Sequence, residues 1–399
     1  MVKREKFLKQ IRPFYHANDL LKVIIGMRRV GKSVLLSQIA DDLRADGVPE
    51  DAMIAMNFEL FEFSGIKTAE DLHGYLAKRM RKGRKYHLFF DEIQMVEGFE
   101  AVVNSLRASG KANIFMTGSN AHLLSGELAT RLAGRFVQFG VTPFTLSEAA
   151  QTFANKGKSM RDVFDDYIQW GGLPGRFAFG QAQEIGKYLG DVYDSIVLRD
   201  IIQRSGIRDI ALLDDEVRFL IENIGSVFSA RSISKYLKGQ SRSVSSETLY
   251  NHIRRIVSSL LFTRVDRYDI RGKSVFATLE KYYIADVGLL QLKRSSVDAN
   301  LGGRLENIVA MELMARGYKI AVGVLRNAEI DFVAEKNGNR EYVQVAYGID
   351  SDATLKRETG AFDKIKDHHP KILITADGTH CNHNGIQHFN AIDWLLGNT

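Results

Sequence analysis

The segment GMRRVGKS, residues 26–33, has residue types and spacing suited to phosphate binding. It fits G-x-x-x-x-G-K-[ST] and stands between the apolar run LKVIIG and a stretch with helical periodicity. Gly26 and Gly31 let the backbone N–H groups face phosphate oxygens, and the start of a helix adds partial positive charge. Lys32 can reach β- and γ-phosphates, while Ser33 can ligate Mg²⁺. The predicted nucleotide contacts of this loop are Gly26, Arg28, Arg29, Val30, Gly31, Lys32, Ser33 and Val34.

A second element with suitable chemistry is the acidic pair in YHLFFDEIQ, residues 86–94. Its apolar and aromatic residues predict a buried strand that brings Asp91 to the strand end, where the carboxylate can hold Mg²⁺ through water. Glu92 follows directly and is placed to orient an attacking water. The predicted metal ligands are therefore Ser33 and Asp91. The adjacent Asp-Glu pair favours hydrolysis over nucleotide binding alone.

Polar residues end a third predicted strand, ANIFMTGSN, residues 112–120. Ser119 or Asn120 can touch the γ-phosphate or the attacking water; either can also cap the segment that follows, and both roles can hold together. Further on, the segment ELATRLAGRFVQF places Arg131 and Arg135 just before the last predicted strand of this region. An arginine there can reach a neighbouring subunit's nucleotide and stabilise charge in the transition state. The alternative for each is an ordinary surface arginine.

The last hundred residues contain an acidic group that resembles a nuclease centre. Glu329 and Asp331 share one predicted strand, Gln344 lies on the next, and the amphipathic helix GRLENIVAMEL can bring Glu306 close to them. Carboxylates so placed can hold Mg²⁺ and activate water for phosphodiester cleavage. The lysine expected two residues after Gln344 is replaced by Ala346. We therefore expect a restriction-endonuclease-like α/β fold whose degenerate site serves binding or assembly, and we do not expect nuclease activity.

These side chains must be positioned by a chain of several parts. Short apolar runs alternate with helical stretches over residues 21–145, which predicts a parallel sheet covered by helices. The pattern then becomes helical, and three predicted helices with a hairpin turning near Gly272 suggest a winged helix. The predicted domains are a phosphate-loop core at 1–148, a helical lid at 149–210, a winged-helix-like module at 211–295 and a nuclease-like α/β domain at 296–399.

The composition sets the class of protein without naming a partner. The chain has 399 residues, 45% of them apolar, which is enough for several buried cores. A net charge of +6 permits an anionic partner, and an ordinary solvated surface explains it equally well. A single cysteine fits a reducing compartment, and no apolar run approaches the ~18 residues needed to span a bilayer. We expect a cytoplasmic protein without membrane contact.

Together the motifs resemble the AAA+ class of ring-forming ATPases. More closely, they resemble a prokaryotic family with an N-terminal AAA-type domain and a C-terminal domain of unknown function. The resemblance covers residues from about 20 to 396, and its first two motifs are shared by many P-loop ATPases. The residues that carry it are GMRRVGKS, FFDEIQ, TGSN, RLAGRFVQFGVTPFTLSE, WGGLPG, LRDII, GRLENIVAMEL, EIDFVA and VQVAYGI.

The resemblance implies a Mg-ATP site built on Lys32, Ser33, Asp91 and Glu92. It also implies a phosphate sensor at Ser119 or Asn120, and a ring, expected to be a hexamer, in which Arg131 or Arg135 acts on the neighbour's nucleotide. Asn57 would restrain the catalytic glutamate. WGGLPG would lie in the lid, either shaping the nucleotide pocket or, in the simpler interpretation, forming a helix-to-helix turn.

The expected function is Mg-dependent ATP hydrolysis coupled to shape change in an oligomer, as a motor or a switch on an unknown target. A DNA-processing nuclease and an ATP-dependent DNA-binding protein without cleavage stay open as alternatives. DNA could contact the winged helix and the nuclease-like domain, and a protein-packing role for the winged helix is equally open. The basic residues of that possible DNA surface are Arg254, Arg255, Arg264, Arg267, Arg271 and Lys273.

Overall fold

The structure is a computed structural model that describes residues 1–119, 134–154, 157–203, 207–239, 242, 244–292, 300–377 and 381–398. Those residues fall into two units, Met1–Val141 and Thr142–Thr399. The predicted lid, winged helix and nuclease-like segment all belong to the second unit, and their separation into three domains stays a prediction.

The first unit is built on a five-stranded sheet with the strand order β2-β3-β4-β1-β5, and every pair of neighbours is parallel. The predicted alternation of strands and helices is confirmed. Central strands are buried along their whole length, which explains their continuous apolar sequences. The strands are β1 Leu21–Ile25, β2 Met53–Asn57, β3 Tyr86–Asp91, β4 Ala112–Gly118 and β5 Phe136–Gly140.

Helices flank this sheet and join its strands. The described helices of the unit are α1 Glu5–Ile11, α2 Lys32–Ala45, α3 Ala69–Arg79 and α4 Phe99–Ala108. The second of them begins at the last two residues of the phosphate-loop motif, because Gly31 adopts a left-handed conformation (φ 92°) that ends the loop. At α3, Thr68 and Asp71 form a reciprocal capping box that fixes the start of the helix.

The second unit begins with helices, as the sequence predicts. One difference is a π-helical segment at Ile196–Gln203, which directly continues α7. Another feature is the end of α10 at Ser258, beyond which Leu260 has a left-handed backbone conformation with φ 62°. The described helices of the unit are α5 Leu146–Phe153, α6 Met160–Trp170, α7 Ala182–Ser195, α8 Ile210–Glu222, α9 Ala230–Gly239, α10 Ser246–Ser258, α11 Leu301–Ala315, α12 Asp352–Thr359 and α13 Ala391–Leu396.

An eight-stranded mixed sheet organises the rest of the second unit, in the order β12-β13-β11-β10-β9-β8-β6-β7. The hairpin predicted as a wing forms its last two strands, because Arg267–Asp269 of β6 pair in parallel with Val322–Val324 of β8. The wing and the C-terminal strands therefore share one sheet. Its strands are β6 Phe262–Asp269, β7 Ser274–Ile284, β8 Lys319–Leu325, β9 Ala328–Lys336, β10 Asn339–Ala346, β11 Lys371–Thr375, β12 Cys381–His383 and β13 Ile386–Asn390.

The central strands of this mixed sheet carry its core. Ile330, Phe332, Tyr342 and Val343 have no exposed surface, and α11 packs its apolar residues onto the same layer. In the described residues no helix is both long enough and apolar enough to cross a membrane.

Candidate functional site

The phosphate-binding loop connects the end of β1 to the start of α2. A side chain at Gly26 would place its Cβ 2.5 Å from the carbonyl oxygen of Val141, so only glycine fits between the loop and β5. Gly31 and Arg29 both have positive φ, at 92° and 65°. The loop therefore takes the curled path on which the phosphate-binding prediction depends.

Lys32 is buried inside this loop and holds it together. Its ammonium donates hydrogen bonds to the carbonyl oxygens of Gly26, at 3.1 Å, and Met27, at 3.3 Å. It also lies 3.3 Å from Oε1 of Glu92, and both side chains are at least nine-tenths buried. The structure thus places the predicted phosphate-binding lysine in direct contact with the predicted catalytic glutamate.

The acidic pair at the end of β3 is tied to the neighbouring strand β4 by Thr117. Its hydroxyl donates to Oδ1 of Asp91 at 2.5 Å and accepts the backbone N–H of Glu92 at 2.9 Å. Glu92 has left-handed backbone angles (φ 55°, ψ 45°), which turn the chain sharply after the strand. Parallel pairing of β3 and β4 brings these residues together at one edge of the sheet.

The carboxylate of Glu92 is held on both oxygens. Its Oε1 lies 3.3 Å from the ammonium of Lys32, and the amide of Gln94 donates a hydrogen bond to Oε2. Burial alone would raise the pKa of Glu92, but the charge of Lys32 and the Gln94 hydrogen bond outweigh it, so the pKa lies below its usual value. Asn57, predicted to restrain this glutamate, instead accepts the backbone N–H of Glu59 at 2.9 Å and closes its own turn. Sequence reasoning missed Gln94.

The two predicted metal ligands line one cleft. Ser33 and Asp91 face a space of about 470 Å³ between α2 and the ends of β2 and β3. Nearby, at the end of β4, the hydroxyl of Ser119 is buried and has no hydrogen-bond partner among the described residues. A serine hydroxyl and a carboxylate are oxygen ligands of the kind that Mg²⁺ prefers. The residues present therefore fit a magnesium nucleotide.

The remaining loop residues differ in exposure. Arg28 is mostly buried and lies 3.5 Å from Glu59, whereas Arg29 is exposed. Val34 is half-buried. Val30 is fully buried, so that it supports the loop rather than facing a ligand with its side chain.

Arg4, from the N-terminal segment, supports the phosphate-binding loop through a hydrogen bond to its backbone. The guanidinium of Arg4 donates to the carbonyl oxygen of Val30 at 2.7 Å, and its side chain lies over the ring of Phe7. The backbone N–H of Arg4 donates to Gln38 of α2 at 2.9 Å. Because Arg4 is far from the motif in sequence, its spacing gave no sign of this role.

Of the predicted finger arginines Arg131 and Arg135 and the sensor candidate Asn120, the structure describes Arg135. Arg135 is exposed and directly precedes β5, whose first residue pairs with the first residue of β1. It therefore lies at the sheet edge opposite to the phosphate loop, about 17 Å away at the rise of a strand, and does not reach its own loop. Asn120 and Arg131 lie outside the described residues. Action on a neighbour's nucleotide stays a prediction.

The WGGLPG motif forms a turn in the second unit. The backbone N–H of Gly172 donates to Asp286 at 2.7 Å, and the N–H of Gly288 donates to the other oxygen at 2.9 Å. Gly171 has φ 72° and no room for a side chain beside the same carboxylate. Burial raises the pKa of Asp286 to about 6 against the lowering effect of those N–H groups. The contacts fit the helix-to-helix turn interpretation.

The acidic residues of the predicted nuclease-like segment are also brought together. Glu306, Glu329 and Asp331 surround the ammonium of Lys281, a residue of β7 that the sequence analysis did not single out. Ala346 ends β10. The nuclease-like character of the segment stays a prediction.

Two family models match the chain. A model described as an AAA domain matches residues 18–150, and one described as Domain of unknown function (DUF8612) matches residues 161–298. The first gives the chain a P-loop type of nucleotide-binding domain. The second covers the predicted lid and winged helix rather than the last hundred residues, where the resemblance had placed the domain of unknown function.

Two proteins resemble the chain over most of its length. An uncharacterized protein of Haemophilus influenzae is 38% identical over 404 residues, covering 99% of each chain. An uncharacterized protein of Methanocaldococcus jannaschii is 30% identical over 362 residues, covering 87% of this chain and 79% of that protein.

Among solved structures, the ORC2 protein of Aeropyrum pernix has a TM-score of 0.41 at 11% identity, covering 77% of this chain and 92% of its own. The replication initiator DnaA bound to AMPPCP and single-stranded DNA has a TM-score of 0.31 at 13% identity, covering 63% and 86%. Scores this low support no inference. The sequence identity, by contrast, shows the family. The chain belongs to the same family as the Haemophilus influenzae protein, with an AAA domain in its N-terminal part.

Proposed function

We propose that this protein hydrolyses ATP with Mg²⁺ and couples the cycle to conformational change in an oligomer, as a motor or a switch. The observation that carries the proposal is the contact between Lys32 of the phosphate loop and the ionised carboxylate of Glu92. A protein that only binds nucleotide needs the lysine, but it has no need of a buried glutamate beside it.

ATP binding would change the partners of both residues. The β- and γ-phosphates take the ammonium of Lys32, which leaves its contact with Glu92, and the freed carboxylate orients a water against the γ-phosphate. Ser33 and Asp91 would hold Mg²⁺, which supplies positive charge to the phosphate oxygens. Gln94 keeps the second oxygen of Glu92 in place, so the glutamate pivots rather than leaves.

An oligomer is part of the proposal because the transition state needs more positive charge than one chain supplies. Arg135 lies at the far edge of its own sheet, so it would act only on another subunit's nucleotide, and Arg131 is the other candidate. A ring of identical subunits, which we propose to be a hexamer, places such a residue at every site.

Duplex DNA is the proposed partner that would regulate hydrolysis. Helix α10 exposes Arg254, and the turn of the β6–β7 hairpin exposes Arg271 and Lys273. Arg264, by contrast, pairs with Asp266 at 2.8 Å and is less available. Exposed cations on a helix and a neighbouring hairpin turn suit backbone phosphates.

The deciding experiment is the steady-state ATPase rate with and without duplex DNA, at low and moderate salt. The rate of Lys32→Ala serves as the background. The Glu92→Gln variant should still bind nucleotide but should not hydrolyse it. Hydrolysis in wild type that is absent from both variants supports the proposal, and equal rates in all three would refute it. A salt-sensitive rise with DNA supports the DNA partner, whereas a rate indifferent to DNA turns the search to proteins. Mass measurement of Glu92→Gln with ATP tests the ring, and a monomer under all conditions would refute it.

A further inference from the structure

The second unit contains a buried lysine at the centre of three carboxylates. The ammonium of Lys281 lies 2.8 Å from Oε1 of Glu329, 3.2 Å from Oε1 of Glu306 and 3.8 Å from Oδ1 of Asp331. We call these four residues the Lys281 cluster. The lysine side chain is 4% exposed, so water does not screen these contacts appreciably.

The cluster joins three elements of the fold. Lys281 comes from β7 of the hairpin, Glu306 from α11, and the other two carboxylates from β9. The hydroxyl of Tyr283, also on β7, donates to the same oxygen of Glu306 at 2.7 Å. Strands β7 and β9 do not pair with each other in the sheet. The cluster is thus an ionic connection between the hairpin and the C-terminal layer, in addition to the β6–β8 pairing.

Burial and mutual charge interactions shift the pKa values of Asp331 and Lys281 in the cluster. The pKa of Asp331 lies well above its usual value, because of burial and the nearby charge of Glu306. Its other oxygen accepts the backbone N–H of Val345 at 2.9 Å. The pKa of Lys281 is raised because its carboxylate neighbours outweigh the effect of burial. The lysine therefore stays charged.

We propose that Lys281 is the resident cation of this cluster, and that its ammonium holds the position a divalent ion would take in an active nuclease centre of the same outline. Lys281 comes from the hairpin and not from β10, where Ala346 stands at the expected lysine position, and it sits among the carboxylates instead of facing outward to a phosphate. Within the described ranges no group of three or more acidic, histidine or cysteine side chains is arranged to hold a metal. The cluster fastens the hairpin and is not a cleavage centre.

This inference is independent of the nucleotide site, and two variants test it. Lys281→Met removes the cation, and the same change combined with Glu329→Gln and Asp331→Asn removes the excess negative charge as well. Lys273→Met is the matched control, because this exposed lysine lies at the turn of the same hairpin. Thermal unfolding is measured for each full-length protein in EDTA and again with Mn²⁺.

We expect Lys281→Met to lower Tm by several degrees relative to the control, and the triple variant to recover most of the loss. Mn²⁺ should raise the Tm of Lys281→Met no more than that of the control, because the acidic side chains of the cluster are not arranged to hold a metal. If the single variant fails to fold, a folded triple variant still supports the proposal, and two unfolded variants overturn it. Unchanged stability of Lys281→Met also overturns it.

A second readout addresses the wild-type protein. Its Tm should respond to Mn²⁺ no more than that of Asp331→Asn, and supercoiled plasmid should stay intact in the presence of the ion. A Mn²⁺ response that disappears in Asp331→Asn, or plasmid cleavage that disappears in the same variant, would make the cluster a metal centre and overturn the assignment of Lys281 as its resident cation.

Discussion

The contact between Lys32 and Glu92 leads to a prediction about nucleotide affinity. ATP and ADP both need the ammonium that Glu92 holds in the structure, so binding must break this ion pair. Glu92→Gln keeps the shape of the side chain and removes the charge that competes with phosphate. We therefore expect this variant, which loses hydrolysis, to bind nucleotide more tightly than wild type.

The distance sets the size of the effect. Two unit charges 3.3 Å apart attract each other by about 5 kcal/mol at an effective dielectric constant of about 20. Desolvation of both groups offsets much of this, and a charged hydrogen bond contributes a net ~1.5–3 kcal/mol. Because about 1.4 kcal/mol corresponds to tenfold in affinity, the expected tightening is roughly 10- to 100-fold.

The assay is equilibrium titration with a fluorescent ADP and, separately, with a non-hydrolysable triphosphate. ADP is the informative ligand, since it has no γ-phosphate for Glu92 to repel directly. Glu97→Gln, which neutralises an exposed acid five residues further on, is the control for net charge. An unchanged or weaker ADP affinity in Glu92→Gln would show that the ion pair does not oppose binding and would refute the reasoning.

Three further predictions concern residues that support the two units. Thr117→Val removes the hydroxyl between Asp91 and the next backbone N–H, so kcat should fall about tenfold or more with nucleotide affinity little changed; an unaltered kcat would contradict this. Arg4→Met should weaken nucleotide binding and lower the free energy of unfolding by about 1–3 kcal/mol, because the carbonyl of Val30 loses a buried donor. Calorimetry with and without ADP measures both effects. A change in stability without a change in ADP binding would rule out a role of Arg4 in the loop. The pKa of Asp286 is raised from 3.8 to about 6, so the stability that its protonated form contributes is lost as pH rises through about 6. The stability of Asp286→Asn relative to wild type should therefore rise by about 2.5 kcal/mol between pH 4 and 8 in urea titrations, and a flat difference would contradict the burial argument.

The first unit was predictable from sequence because its signals are local. The phosphate loop is one continuous motif, and each strand of the parallel sheet is a short apolar run between turn residues. Parallel pairing then places the carboxyl ends of neighbouring strands at one edge, so Asp91 and the polar end of β4 had to meet near the loop. That these ends meet depends on the strand order, in which β4 lies between β3 and β1.

Contacts over long sequence distances could not be predicted in the same way. Gln94 was missed although it is only two residues from Glu92, because the left-handed turn that directs it back is not visible in the residue types. Arg4 and Lys281 were missed because their partners are about 25 residues or more away. The pairing of the hairpin with β8 spans about twice that distance and leaves no periodic signal in either strand.

Comparison of the two buried lysines indicates where chemistry can occur. Among the residues that the structure describes, Lys32 has one carboxylate partner, and its other contacts are carbonyl oxygens of its own loop, so the several negative charges of a nucleotide can replace Glu92. Lys281 has three carboxyl groups within 4 Å, and a nucleic-acid phosphate with a single charge would have to displace all of them. The carboxylate partner of Lys32 can therefore be exchanged for phosphate, whereas the partners of Lys281 stay in place, although both lysines are equally buried. The same balance of charges supports the proposals that turnover occurs in the AAA domain and that the carboxylates of the second unit fasten the hairpin.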